Sequence, residues 1–261
     1  MGLTVALAQM DVDFANPGAN FERVSQVIAE AAKEHADIVV LPEMWNTGYA
    51  LDQLNGLADP NGQNTQELLQ ELARNHHINI VGGSVATARD DHFYNTSYIV
   101  DDQGRLVSSY DKVHLFGLMN EEQYITAGKT ENYFQLAGAA SAGVICYDIR
   151  FPEWLRTNAR HGAKVLYVSA EWPQPRIAQW EVLLRARAIE NQAFVVAVNR
   201  VGDDPDNHFN GHSLVIDPLG NIIANAGETE KVKLATIDFS QIEAVRGQIP
   251  VFKDRRPELY R

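Results

Sequence analysis

The chain has only one cysteine, Cys146, in 261 residues. A lone thiol closes no disulfide within the chain, so a cross-linked secreted scaffold is excluded and a reducing compartment, the cytoplasm, is the expected setting. Positive charge is also scarce: 22 Lys and Arg stand against 34 Asp and Glu, a formal charge of −12. Such a surface repels phosphate backbones and anionic headgroups, which argues against nucleic acid and membranes as partners. The cations are scattered apart from Lys253, Arg255 and Arg256 near the C-terminus. No apolar run approaches the ~20 residues that span a bilayer. Residues 1–5 carry no basic segment ahead of an apolar stretch, so no signal peptide is expected, and Asn95-Thr96-Ser97 reads as a chance glycosylation pattern. A phosphate loop, a dinucleotide fingerprint, a serine elbow and a His-Glu-x-x-His motif are all missing, and His76-His77 has no partners at metal-ligand spacing. No cofactor and no metal is expected.

What the chain does have is a substantial apolar fraction, 45%, enough for a full core. Short runs at 3–8, 38–41, 165–168 and 194–198 are apolar on both faces, the pattern of strands covered on both sides. Between them lie helical patterns. Asn16-Pro17 opens one with Phe21, Val24, Ile28 and Ala31 on a single face; Leu68, Leu69 and Leu72 mark a second. A third runs over 152–161 until Gly162, and a fourth over 177–191. Strands at 93–100 and 106–110, joined by Asp101-Asp102-Gln103-Gly104, form a hairpin. Further strands fall at 78–81, 142–145, 214–216, 222–223 and 232–237. Hairpins mixed with helices predict a layered α/β domain rather than a purely parallel doubly wound sheet. No linker or repeat interrupts it, so residues 1–261 are read as one domain. Residues 250–261 are read as an extended tail that must lie on something, such as a second subunit.

Three strand ends carry reactive residues: Glu43 after Leu41-Pro42, Lys112 after Tyr110-Asp111, and Cys146 after Val144-Ile145. Sites in α/β sheets gather at such ends. Taken singly, each has a plainer explanation. A lone cysteine behind apolar residues is usually a small core residue, and a charged residue at a strand end is usually solvated.

Taken together, the segments resemble the nitrilase superfamily of carbon–nitrogen hydrolases. The resemblance rests on Leu41-Pro42-Glu43, on Asp111-Lys112-Val113-His114-Leu115-Phe116, and on the run from Gly143 through Cys146-Tyr147-Asp148-Ile149-Arg150-Phe151-Pro152-Glu153. Ala8-Gln9-Met10, the run from Arg185 to Asn191, Asn199-Arg200-Val201-Gly202 and Asp217-Pro218-Leu219-Gly220 extend it over nearly the whole chain.

The resemblance implies an α-β-β-α sandwich that pairs into a homodimer. It implies Cys146 as nucleophile, Glu43 as general base and Lys112 as oxyanion stabiliser, helped by the backbone N–H of Tyr147. A second family glutamate stands seven residues before a glycine, which matches Glu121 before Gly128, with Glu122 as its neighbour. The strings around Cys146 and around Glu171-Trp172-Pro173 are similar to the omega-amidase branch, which implies hydrolysis of a small amide such as 2-oxoglutaramate or 2-oxosuccinamate through a thioester. Tyr49, Trp172, Arg176 and Glu171 are the expected pocket residues. Glu171 departs from the Asn or small residue expected there. Arg150 reads first as an internal salt bridge and second as a carboxylate ligand. An N-carbamoyl amide hydrolase is the alternative, then a nitrilase. A silent binding protein on this scaffold is the non-enzyme alternative, and loss of Glu43, Lys112 or Cys146 would mark it.

Overall fold

The computed structural model describes residues 2–260. Among the described residues, sixteen strands form an eight-stranded sheet, a six-stranded sheet and a two-stranded ribbon. In the first sheet Gly2–Gln9, Ile38–Val40 and Asn79–Val81 run parallel, with Lys231–Asp238 antiparallel at one edge. His92–Val100 continues that sheet antiparallel and is flanked by Val85–Arg89 and Leu106–Asp111. In the second, Ala139–Ile145, Val165–Ala170 and Phe194–Asn199 are parallel, with antiparallel strands on both sides.

Strand alternation divides the core. In Gly2–Gln9, Val5 and Leu7 face the second sheet, whereas Ala6 and Ala8 face helices. The layer between the sheets joins Val5, Leu7, Ile38 and Val40 to Tyr167, Phe194, Val196 and Val198. Helices Pro17–Lys33 and Gln63–His76 cover the outside of the first sheet. Pro152–Ala159 and Ile177–Asn191 cover the outside of the second. The layers are therefore α-β-β-α, and the runs apolar on both faces are strands covered on both sides. Each large aliphatic side chain buried this way contributes roughly 1.5–3 kcal/mol.

The local signals act as expected at several places. The Asn16 side chain accepts from the Ala19 N–H at 3.3 Å, and Pro17 takes the first helical position. Helix Ile177–Asn191 has the limits its pattern predicts. Several elements went unread in the sequence, among them strands Val85–Arg89 and Tyr133–Leu136 and helix Ser240–Gln248, which buries only Ile242 and Val245. Within the stretch read as an extended tail, Val251–Asp254 and Pro257–Leu259 form short helical turns. Phe252 lies between the guanidinium groups of Arg156 and Arg246, at 4.7 and 5.4 Å.

Candidate active site

Four strand ends, two from each sheet, meet at one end of the sandwich. Ile38–Val40 leads to Glu43, Leu106–Asp111 to Lys112, Ala139–Ile145 to Cys146 and Val165–Ala170 to Glu171. Side chains leaving opposed sheets there converge in a space closed to water, and all four residues are buried.

Lys112 is the hub. Its Nζ donates to Glu43 Oε1 at 2.8 Å, to Glu121 Oε2 at 2.7 Å and to the Tyr49 hydroxyl at 3.1 Å. Tyr49 in turn donates to Glu43 Oε1 at 2.7 Å. The other oxygen of Glu43 accepts the Glu171 backbone N–H at 2.9 Å. Burial opposes charge on Lys112, but Glu121 and Glu43 outweigh it and hold the ammonium above its ordinary range. Burial pushes the Glu121 carboxyl up against the pull of Lys112. The Tyr49 phenol is raised by burial and by Glu121 and Glu43, so it stays protonated.

Glu121 returns to this cluster through a loop whose closure needs a glycine. The Gly128 N–H donates to the Lys112 carbonyl at 2.8 Å. A Cβ at Gly128 would lie 2.0 Å from the Asp111 carbonyl oxygen, so only glycine permits the approach. The neighbouring Glu122 is exposed.

Cys146 opens a short 3₁₀ turn, Cys146–Arg150, with φ +44°. A left-handed backbone at a residue with a side chain is strained by about 1–3 kcal/mol and here projects the sulfur off the strand end. Its Sγ lies 3.9 Å from the Glu171 carbonyl oxygen. Burial and the Glu43 charge push the thiol pKa well up, with Lys112 opposing, so the resting group is the thiol.

A narrow pocket opens over the sulfur, lined by Tyr49, Cys146, Tyr147, Glu171, Trp172 and Arg176 together with Phe116, Arg150 and Pro173. The structure thus brings together every site residue named from the sequence. Trp172 is clamped through its backbone by Asn199, whose Oδ1 accepts its N–H at 2.6 Å and whose Nδ2 donates to its carbonyl at 3.0 Å. The Trp172 indole N–H donates to the Arg176 carbonyl at 2.8 Å. Among the described residues, Arg150 and Arg176 form no ion pair. This corrects the salt-bridge reading of Arg150, whose guanidinium stacks on Trp172 at 4.8 Å and donates to Gln179 at 2.6 Å. Arg176 rests over the Phe116 ring at 5.6 Å.

Glu171 is buried, with Oε2 at 3.4 Å from Arg200 Nη1 and Oε1 without a hydrogen-bond partner. Burial pushes this carboxyl up to about 8, against the pull of Arg200.

Sequence reasoning missed the role of Asn95. Its Nδ2 donates to Glu43 Oε1 at 2.9 Å and to Glu121 Oε1 at 3.0 Å, bridging the two glutamates. A fully buried amide in mid-strand leaves no room for a glycan, and the available signal was an Asn inside a strand rather than at its turn. Arg200, buried against Asp11, Val12 and Glu171, and Asp148, buried two residues past the thiol, stood in the recognised segments without an assigned role. Among the described residues, no three His, Cys, Asp or Glu side chains group as a metal site, and no helix is long and apolar enough to cross a membrane.

Comparison with known proteins agrees with this geometry. The carbon-nitrogen hydrolase family model matches residues 4–247. The chain is 48% identical over 260 residues to the 2-oxoglutaramate amidase of Bacillus subtilis, covering 100% of each. It is 34% identical to an omega-amidase of Saccharomyces cerevisiae, over 99% of this chain and 94% of that one. Among solved structures, a CN-hydrolase superfamily protein of Xanthomonas campestris superposes with TM-score 0.91 at 31% identity, covering 98% of both chains. A buried thiol beside a glutamate–lysine–glutamate cluster, carried on this sandwich and matched along almost its full length, places the chain in the carbon-nitrogen hydrolase family of the nitrilase superfamily.

Proposed function

We propose that the chain is a cysteine-dependent omega-amidase that converts a small omega-amide of an oxo acid, such as 2-oxoglutaramate or 2-oxosuccinamate, to the carboxylate and ammonia. One observation carries the reading. The buried Cys146 thiol, beside Glu43 and Lys112, opens on a small pocket whose wall holds the guanidinium groups of Arg150 and Arg176, neither of them ion-paired among the described residues. A substrate with an amide at one end and a carboxylate at the other fits that polarity. Its carboxylate pairs with Arg176, and Tyr49 and Trp172 wall its short chain. Glu171, neutral at pH 7 with a carboxyl pKa of about 8, donates to a substrate oxygen.

The chemistry follows from the protonation states. Cys146 begins as a thiol, so attack needs a base, and Glu43 takes the S–H proton as sulfur bonds to the amide carbon. The carbonyl oxygen becomes an oxyanion held by the Lys112 ammonium and the Tyr147 N–H, which lies in the first turn, where helix geometry leaves N–H groups free. One such donor contributes about 3–4 kcal/mol. The C–N bond breaks as Glu43 returns its proton to nitrogen, and ammonia leaves a thioester on Cys146. Water adds to that thioester with Glu43 as base, the C–S bond breaks, and the acid and the free thiol form. Glu121 keeps Lys112 charged and in place.

Ammonia release from 2-oxoglutaramate, glutarate monoamide, an N-carbamoyl amine and a simple nitrile tests the reading. The omega-amides are expected to turn over fastest. Preference for the carbamoyl compound or the nitrile selects those activities instead. No turnover of any member, with Cys146 inert to alkylation, selects a silent scaffold.

A single domain and a cytoplasmic homodimer complete the proposal. A nucleophilic thiol suits a reducing compartment. Val182, Ile189, Leu219, Ile249, Leu259 and Tyr260 are exposed on and around helix Ile177–Asn191 and the C-terminal segment, an apolar face of the kind that pairs. Sedimentation as a monomer at micromolar concentration contradicts it.

A further inference from the structure

The Asp148 carboxylate is fully buried and takes four hydrogen bonds from two segments of chain. Its Oδ2 accepts the Ile145 N–H at 2.9 Å, immediately before the nucleophile, and the Tyr110 hydroxyl at 2.8 Å, two residues before Lys112. Its Oδ1 accepts the His114 N–H at 3.1 Å and lies 2.7 Å from His114 Nδ1, two residues beyond Lys112. With a carboxylate already accepting three donors, Nδ1 is the protonated nitrogen of that ring. The ring stacks on Phe151, centroids 3.8 Å apart, on the chain just past the cysteine turn. Trp154 turns an edge toward the ring at 5.9 Å and donates from its indole to the Tyr110 hydroxyl at 3.0 Å.

The two segments belong to different sheets. One carries the sulfur on a strained left-handed residue, and the other carries the ammonium. Ordinary packing tolerates small slides between facing sheets, whereas a carboxylate holding donors from both fixes their offset. We propose that Asp148 and His114 are positioning residues that lock the Cys146 turn to the strand end of Lys112, so that the nucleophile and the oxyanion-binding group keep one mutual placement through the reaction. The inference rests on Cys146 acting as the nucleophile. Neither Asp148 nor His114 touches the substrate. Both act through the residues they hold, and a misplacement of about 1 Å at a reacting centre lowers rates by about a hundredfold.

Two variants keep the fold and remove single links. His114→Phe retains the ring stack and the backbone N–H but loses the Nδ1 bond. Tyr110→Phe retains the ring and loses the hydroxyl. Steady-state kinetics on the best amide of the panel and the rate of Cys146 alkylation by iodoacetamide are measured on folded protein. The expected result is a kcat lowered about tenfold or more with KM little changed, alkylation slowed in parallel, and recovery of most of the loss in His114→Asn, which keeps an N–H near the Nδ1 position. Wild-type kcat and alkylation rates in both folded variants overturn the proposal, and so does a His114→Asn variant as slow as His114→Phe. Alkylation needs no amide substrate, so an error in the substrate reading shows as a wild type inert toward the panel while the positioning test still reads out.

Discussion

Two buried clusters of opposite charges flank the same thiol, and they are built differently. Around Lys112, two carboxylates sit at 2.8 and 2.7 Å, and Tyr49, Asn95, the Glu171 N–H and the Phe116 N–H supply further donors. Around Arg200, Glu171 stands at 3.4 Å with one oxygen unpartnered, and the guanidinium spends its other donors on Asp11 and backbone carbonyls. In the first cluster the two carboxylates hold the Lys112 ammonium charged against burial, while burial still pushes the Glu121 carboxyl up. The second lets its carboxyl go neutral because desolvation outweighs a distant partner. A charged cluster suits proton transfer and oxyanion binding, and a neutral acid suits contact with a polar substrate atom.

Cutting into the first cluster and its thiol should have the largest effects. Cys146→Ala should lower turnover by about 10⁴-fold or more and abolish trapping of an acyl intermediate, read by mass spectrometry. Glu43→Gln should keep the fold and lower kcat by about 10²–10⁴-fold, as expected for a lost general base. Lys112→Met should lower kcat by about 10²–10³-fold. It also leaves Glu43 and Glu121 facing each other without a cation, so denaturant unfolding should register a loss of about 3–5 kcal/mol. An Lys112→Met protein as stable as wild type would show that the cluster is less strongly coupled than its distances imply. Asn95→Ala removes the amide that both glutamates share and should cost about 1–3 kcal/mol, with kcat following.

Cutting into the second cluster should have an effect that depends on pH. Burial holds the Glu171 carboxyl at about 8, above its usual 4.5. The native state therefore binds the proton more tightly than the unfolded chain does. The stabilisation is complete below about pH 4.5 and is lost as pH rises through about 8. Glu171→Gln lacks this ionisation. Its melting temperature should match wild type near about pH 4.5, exceed it increasingly up to about pH 8, and keep that difference above it. A constant difference across that range would mean that Glu171 is already ionised and that the two clusters are alike.

Much of this was legible in the linear chain. Runs apolar on both faces, as in Ile38–Val40 and Phe194–Asn199, announced strands covered on both sides, because a pleated strand shows its burial in its alternation. Strand ends marked Glu43, Lys112 and Cys146 only as candidates, and it was the resemblance of their segments to a family that named them, and Glu121 with them. Asn95, Asn199 and Arg200 could not be assigned roles. Their partners lie 52, 27 and 189 residues away in sequence, and nothing in their own neighbourhoods differs from an ordinary polar residue.

The sequence by itself therefore determined the layered class and the strand ends, which follow from local pattern, while Glu43, Lys112, Glu121 and Cys146 were named through the resemblance of their segments to a family. Tertiary structure alone decided how far burial is offset at each buried carboxyl. Glu171 and Glu121 are both buried glutamates beside a cation, yet a cation 2.7 Å away with added donors and one 3.4 Å away with an orphaned oxygen make different environments. That difference is set by the separation of groups brought together from distant parts of the chain, and electrostatic energy depends on that separation and on the water it excludes.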